Sequence, residues 1–243
     1  MFFISPPFGN YIHLPETKSI HGSFTLNPRP GLFMQIIRTL RYSFENEGWV
    51  NKIGLRNKGI DWAIKNVDKS NIISIAILNQ DEIKSFLQKI PNDRNIELNV
   101  SCPNAEKKMI NTGLSKFIHP NREWCILKIS PNTTNQEINE YYKQGFRQFH
   151  CCNTLPIEGG GLSGKSLKPY TNEKIEYIKT NLPDSTVIAG GGITNLCDFH
   201  DYKKKGASHF SASTVFFNPY LSYKLYNQYL IHTKNNKSLD NEE

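Results

Sequence analysis

No apolar run in this chain is long enough for a membrane span or a secretory signal. Met1-Phe2-Phe3-Ile4 gives way at once to Ser5-Pro6-Pro7, which predicts a soluble, cytoplasmic protein with no membrane partner. Cysteine is scarce, five in 243 residues without regular spacing, and Cys151-Cys152 adjoin inside an apolar stretch. That argues against a disulfide framework and for a reducing compartment. There is no internal repeat, and no ligand spacing predicts a metal site. The charge, +7 from 29 Lys and Arg against 22 Asp and Glu, is not gathered in one block. Lys107-Lys108, Lys203-Lys204-Lys205, Lys234 and Lys237 read as solvated helix faces and a tail, so a nucleic-acid partner is not expected. An anionic small substrate or a phosphate-bearing cofactor suits the same balance.

What is present is an alternation. Short apolar, β-branched runs at 2–4, 19–25, 72–78, 97–100, 124–129, 147–152, 186–189 and 209–212 are separated, in the later part, by helix-like segments at 81–88, 135–143, 172–180 and 195–205. Asn135 and Asn195 stand as N-caps. Eight strands alternating with helices predict an α/β fold of the TIM (β/α)8 barrel type. The first third is irregular: Asn27-Pro28-Arg29-Pro30-Gly31 is a turn and 51–61 a loop rich in amides and glycine. The N-terminal βα units are therefore expected to be reduced. Residues 1–233 read as a single barrel and 234–243 as a frayed polar tail.

The chemistry-bearing residues fall at the strand ends. The strand Ile96-Glu97-Leu98-Asn99-Val100 runs into Ser101-Cys102-Pro103-Asn104; Lys128 ends the next strand, and Asn153-Thr154 follow the one after. Gly190-Gly191-Gly192 and Ser213-Thr214 end the last two. In such barrels the carboxyl ends of the strands form one rim, where sites are built, and the loops after strands seven and eight often hold phosphate. Gly190-Gly191-Gly192-Ile193, followed by Thr194-Asn195 and a helix, offers bare N–H groups beside a helix N-terminus. Lys128 reads either as a snorkelling surface lysine or as a cation beside an electron-accepting ring. Gly159-Gly160-Gly161-Leu162-Ser163-Gly164 reads as a flexible loop over the rim or as a linker.

Taken in order, these motifs resemble the dihydroorotate dehydrogenase family, FMN-dependent α/β barrels that oxidise dihydroorotate to orotate in pyrimidine (UMP) synthesis. The resemblance runs from about Gly22 to Pro219 and also includes Thr25-Leu26-Asn27-Pro28-Arg29-Pro30-Gly31, Asn51-Lys52-Ile53-Gly54-Leu55-Arg56-Asn57, Lys128-Ile129-Ser130-Pro131-Asn132 and Gly206-Ala207-Ser208. It implies that Cys102 is the catalytic base, as in the soluble class 1 enzymes. It implies that Asn51, Gly54, Leu55, Asn99, Asn104, Asn153 and Thr154 bind substrate. Gly22, Ser23, Asn99, Lys128, Gly164, Gly191, Gly192, Ser213 and Thr214 would bind FMN. Four neutral amides also suit a flat ring rich in donors and acceptors. In the implied mechanism Cys102 takes a proton from carbon 5 and carbon 6 gives a hydride to the flavin, with Lys107 and Lys108 near enough in sequence to help lower the thiol pKa.

The chain departs from that family in two ways. Gly22 stands where soluble members carry a lysine, for which Lys18 or His21 is a substitute, and the chain is shorter than the family's usual length. These departures keep open a degenerate FMN-binding barrel without turnover. A related pyrimidine-reducing flavoenzyme, dihydropyrimidine dehydrogenase-like or a tRNA dihydrouridine synthase, is a further alternative. No glycine fingerprint suits NAD and no cysteine cluster suits an iron–sulfur centre, so the electron acceptor is a small oxidant or a separate electron-transfer subunit. A homodimer is the other expected association.

Overall fold

A computed structural model describes residues 1–100 and 113–239. In chain order its elements are β1 (Phe2–Ile4), β2 (Thr17–Phe24), α1 (Leu32–Thr39), β3 (Arg41–Ser43), β4 (Gly48–Asn51), α2 (Ile60–Asn66), β5 (Ile72–Ile75), α3 (Glu82–Lys89) and β6 (Ile96–Asn99). After the undescribed segment follow β7 (Cys125–Lys128), α4 (Asn135–Lys143), β8 (Gln148–Cys151), β9 (Leu155–Ile157), β10 (Gly160–Gly164), α5 (Lys168–Asn181), β11 (Thr186–Gly190), α6 (Leu196–Lys204), β12 (His209–Ala212) and α7 (Pro219–Leu239).

Eight strands close a parallel barrel in the order β1-β12-β11-β8-β7-β6-β5-β2, a (β/α)8 fold. Each predicted barrel strand is present to within a few residues. β1 closes the ring by pairing with both β2 and β12, so the reduced N-terminal end does not open it. What is reduced is the first crossover, which holds a 3-10 turn at Phe8–Asn10.

Side chains alternate across each strand, and the inside of the barrel is consequently layered. Phe3, Ile20, Ile72, Trp124, Ile126 and Ile188 form a buried apolar cluster toward the amino ends of the strands. Two residues further along the same strands stand Ser5, Ser74, Lys128 and Gly190, joined by Glu97, His150 and Ser211, all buried or at the cavity wall. The interior thus turns from apolar to polar over one strand repeat, at the end where the cavity opens. The outward residues, among them Ile73, Ile75, Leu98, Leu127, Phe149 and Val187, pack under the helices in the main core.

Four features differ from the sequence expectation. The glycine-rich stretch 159–164 is not a loop: β10 pairs antiparallel with β4 and β9, and with β3 they make a four-stranded sheet over the rim. Glycine let β10 approach its neighbours; a Cβ on Gly160 would stand 2.2 Å from the Asn51 carbonyl oxygen. The first third also contains α1, β3, β4 and α2. The cap of α4 is Thr134 rather than Asn135, because the threonine hydroxyl accepts from the Glu137 N–H while Glu137 returns a bond to the Thr134 N–H. Finally, α7 continues through Thr233 to Leu239, so the expected frayed tail is helical over most of its length; no glycine or proline interrupts it. It packs on β1 through Tyr229, whose ring meets Phe2 edge-on at 5.3 Å.

Candidate active site

At the carboxyl rim lies a cavity of about 740 Å³, within the range that holds a drug-sized ligand. The predicted residues converge on it from eight parts of the chain. Gly22, Ser23, Asn51, Gly54, Leu55, Asn99, Lys128, Asn153, Thr154, Gly164, Gly191, Gly192, Ser213 and Thr214 all line it. Cys102 and Asn104, together with Lys107 and Lys108, lie outside the described residues.

A continuous polar chain crosses the cavity floor. Asn153 Nδ2 donates to Asn99 Oδ1 at 3.2 Å, and Asn99 Nδ2 donates to Ser23 Oγ at 2.9 Å. Ser23 and Ser74 share a 3.0 Å hydroxyl contact, and Ser74 Oγ donates to Glu97 Oε1 at 2.8 Å. Glu97 also holds His150 Nδ1 at 2.6 Å through Oε2 and faces Lys128 Nζ at 3.7 Å through Oε1. Cross-strand register explains the grouping: Ser74 stands opposite Glu97, Asn99 opposite Lys128 and Lys128 opposite His150, so all project to the same side.

Glu97 is fully buried. Burial works to raise its carboxyl pKa, but the Lys128 charge, His150 and the Ser74 hydroxyl outweigh it and hold the group at about 2. His150 is shifted down, first by burial and then by Lys128, with Glu97 partly opposing. The strand reading did not single out Glu97 or His150. The available signal was a charge and an imidazole inside otherwise apolar strand runs.

Three expectations are corrected here. Neither proposed substitute for the missing lysine reaches the cavity. Lys18 sits two strand repeats too early, at the opposite end of the barrel, where its Nζ pairs with Glu123 at 3.1 Å. His21 is stacked on His13, with ring centroids 5.2 Å apart, and is lowered to about 4 by burial, then by His13 and Arg94. The N-terminus of α6 is not a free anion site either: Asp198 Oδ2 accepts from Thr194 N at 2.7 Å and Asn195 N at 3.1 Å, while the carboxylate also pairs with Lys168. Asn195 does cap that helix. The chain supplies its own anion there, so of the expected phosphate-binding groups the glycine stretch and the residues at 213–214 face the cavity.

The cavity wall suits a flat ring with an anionic tail. Lys128 supplies a cation at the floor. A Cβ on Gly192 would stand 2.8 Å from Lys168 Cγ and 3.1 Å from the Gly164 carbonyl oxygen, so that loop is bare backbone pressed against its neighbours. At the rim Trp49 of β4 and Phe217 stack with centroids 4.1 Å apart. From α1, Leu32, Ile36 and Leu40 add an apolar side wall that the sequence reading did not foresee.

No family model matches the chain. Among curated proteins it is similar to the dihydroorotate dehydrogenase B (NAD(+)) catalytic subunits of three bacteria. For Bacteroides thetaiotaomicron the identity is 30% over 219 residues, 73% of this chain and 70% of that protein. For Malacoplasma penetrans it is 29% over 231 residues, covering 78% and 74%, and for Thermotoga maritima 27% over 249 residues, covering 86% and 87%. Among solved structures, DHODH from Eimeria tenella in complex with ferulenol superposes with a TM-score of 0.63 at 16% identity, covering 89% of this chain and 75% of that one. That likeness speaks for the fold.

Proposed function

The chain belongs to the dihydroorotate dehydrogenase family, and from that premise we propose that it oxidises dihydroorotate to orotate with FMN as its cofactor. The observation that carries the reading is the convergence on one cavity of Asn51, Asn99 and Asn153 with Lys128 and the glycine backbone of 191–192. Amides satisfy the donors and acceptors of a pyrimidine ring without charge, while a lysine and bare backbone suit a phosphate-bearing flavin.

When bound, FMN supplies the acceptor for a hydride. Lys128, Gly164, Gly191, Gly192, Ser213 and Thr214 would hold it, with Gly22 and Ser23 against it from β2. Asn51, Asn99, Asn153 and Thr154, with the backbone of Gly54 and Leu55, would orient the substrate ring. The Ser23–Asn99–Asn153 chain fixes two of those amides in place before substrate arrives, so less ordering entropy is lost on binding. Cys102 would remove the proton from carbon 5. Residues of β4, β9 and β10 from the second sheet line the same cavity.

The curated relatives are named as catalytic subunits of NAD(+)-dependent enzymes, which supports passage of electrons to a separate electron-transfer subunit. Among the described residues no helix is long and apolar enough to cross a membrane.

The test is an anaerobic visible spectrum of the FMN-supplemented protein before and after dihydroorotate. Bleaching of the flavin band is the expected result. Bound flavin that stays oxidised would favour the barrel without turnover or a different pyrimidine substrate, and a protein that binds no flavin would overturn the assignment of the cavity.

A further inference from the structure

We propose that His150 takes up a proton when the flavin in this cavity is reduced, with Glu97 positioning it and Lys128 as its charged neighbour. The inference rests on the flavin reading above.

Three titratable groups share the cavity floor. Lys128, Glu97 and His150 come from adjacent strands, are 8%, 0% and 2% exposed, and lie within one connected group. The Glu97 carboxylate stands 2.6 Å from His150 Nδ1 and 3.7 Å from Lys128 Nζ, and takes a third contact from the Ser74 hydroxyl. An ionised carboxylate only accepts, so the imidazole proton sits on Nδ1 and Nε2 is left as an acceptor. Burial and then the lysine charge shift that ring toward its neutral form, with Glu97 opposing them. The floor is therefore balanced at rest, with one cation, one anion and one neutral base.

Nε2 is directed toward the end of β11. A Cβ on Gly190 would come within 2.8 Å of it, and both residues line the cavity. The charged groups facing the imidazole are Glu97 from β6 and Lys128 from β7, while β11 presents Gly190 there. The base thus meets the cavity wall beside a glycine.

Reduction upsets the balance. As the carbon 6–hydrogen bond of the substrate breaks, two electrons and one proton pass to the ring. The carbon 5 proton goes to the base, and the substrate gains a double bond. The ring is left with one added negative charge, in a buried site where an uncompensated charge is costly. Lys128 already faces Glu97, so its charge is only partly available. His150 restores neutrality by forming an N–H bond at Nε2 with a proton drawn from solvent; it gains no electrons and breaks no bond in the substrate.

The experiment is the midpoint potential of the bound flavin against pH, for the wild type and for His150→Gln, with the nitrogen NMR shifts of labelled histidine in oxidised and reduced wild-type protein. One proton per two electrons lowers the potential by about 30 mV for each tenfold change in proton concentration. The expected result is a steeper slope in the wild type near neutral pH that returns to the one-proton value in His150→Gln, together with protonation of His150 on reduction. A wild-type slope equal to that of the variant, or a His150 shift unchanged by reduction, overturns the inference. The NMR result decides even where the variant fails to fold. Flavin that binds and bleaches while His150 stays neutral sinks this inference alone, whereas a protein that binds no flavin sinks the functional reading and this one with it.

Discussion

Gly22 on β2 stands so close to Ser74 on β5 that a Cβ placed on it would lie 2.5 Å from the Ser74 carbonyl oxygen. Its φ of +126° is also one that side-chain-bearing residues rarely adopt. The Gly22 N–H donates to Asn10 Oδ1 at 2.8 Å, which pins the strand from its other side. The departure from the family lysine at this position is therefore built into the path of β2, because the backbone runs where a side chain would need to leave it.

Gly22→Ala is accordingly expected to lower the unfolding free energy by about 3 kcal/mol or more, from overpacking plus backbone strain. Urea melts of the two proteins check this. A variant as stable as the wild type would mean that β2 can shift away from β5 without loss.

Lys128→Met removes one partner of a buried pair and leaves Glu97 with only the His150 ring and the Ser74 hydroxyl. A loss of roughly 3 kcal/mol in stability is expected, with flavin affinity at least tenfold weaker by fluorescence titration. Full flavin affinity in the variant would take Lys128 out of the cofactor site.

Cys102→Ser tests the proposed base, which lies outside the described residues. The expected outcome is flavin reduction slowed by about 10²-fold or more at neutral pH, with orotate affinity changed by only a few-fold, since the amides are intact. Stopped-flow reduction and orotate titration measure the two separately; equal losses in both would contradict this division of roles.

His21 contributes to the acid limb of stability. Its folded-state pKa of about 4 lies below the unfolded value near 6.5. Between those values the unfolded chain binds the proton and the folded one does not, so stability is complete above about pH 6.5 and falls as pH drops toward 4. His21→Gln should lose less on going from pH 7 to pH 5, by roughly 2 kcal/mol, in urea melts at the two pH values. An identical loss in both proteins would place the acid sensitivity elsewhere.

The eight barrel strands were legible because each is a short β-branched run, and the register that brings Lys128 opposite Asn99 follows from strand alternation once the barrel is assumed. α4 was legible from Ile138 and Tyr141 on one face. α1 was not, although Leu32, Phe33, Ile36 and Ile37 suit a helix: it follows directly on the Pro28–Gly31 turn, and none of its residues is buried. β10 escaped because Gly160 and Gly161 lack the side chains by which strands are recognised, and its partners β4 and β9 are set by contacts distant in sequence. The same holds for Trp49 and Phe217, whose stacking joins two distant parts of the chain.

By itself the sequence determined the fold class, the placing of polar groups at the strand ends and the family, because strand periodicity and ordered local motifs are properties of neighbouring residues. Tertiary structure alone decided which of those groups share charge. Glu97 binds His150 and faces Lys128 because three strands align in register. Lys18 is kept from the cavity because it lies two repeats too early on β2, and His21 because it falls on the other face of that strand, against His13. Asp198 takes the α6 terminus that a ligand would otherwise have used. Coulomb and hydrogen-bond energies depend on distances of a few ångströms, and those distances exist only once the barrel has closed.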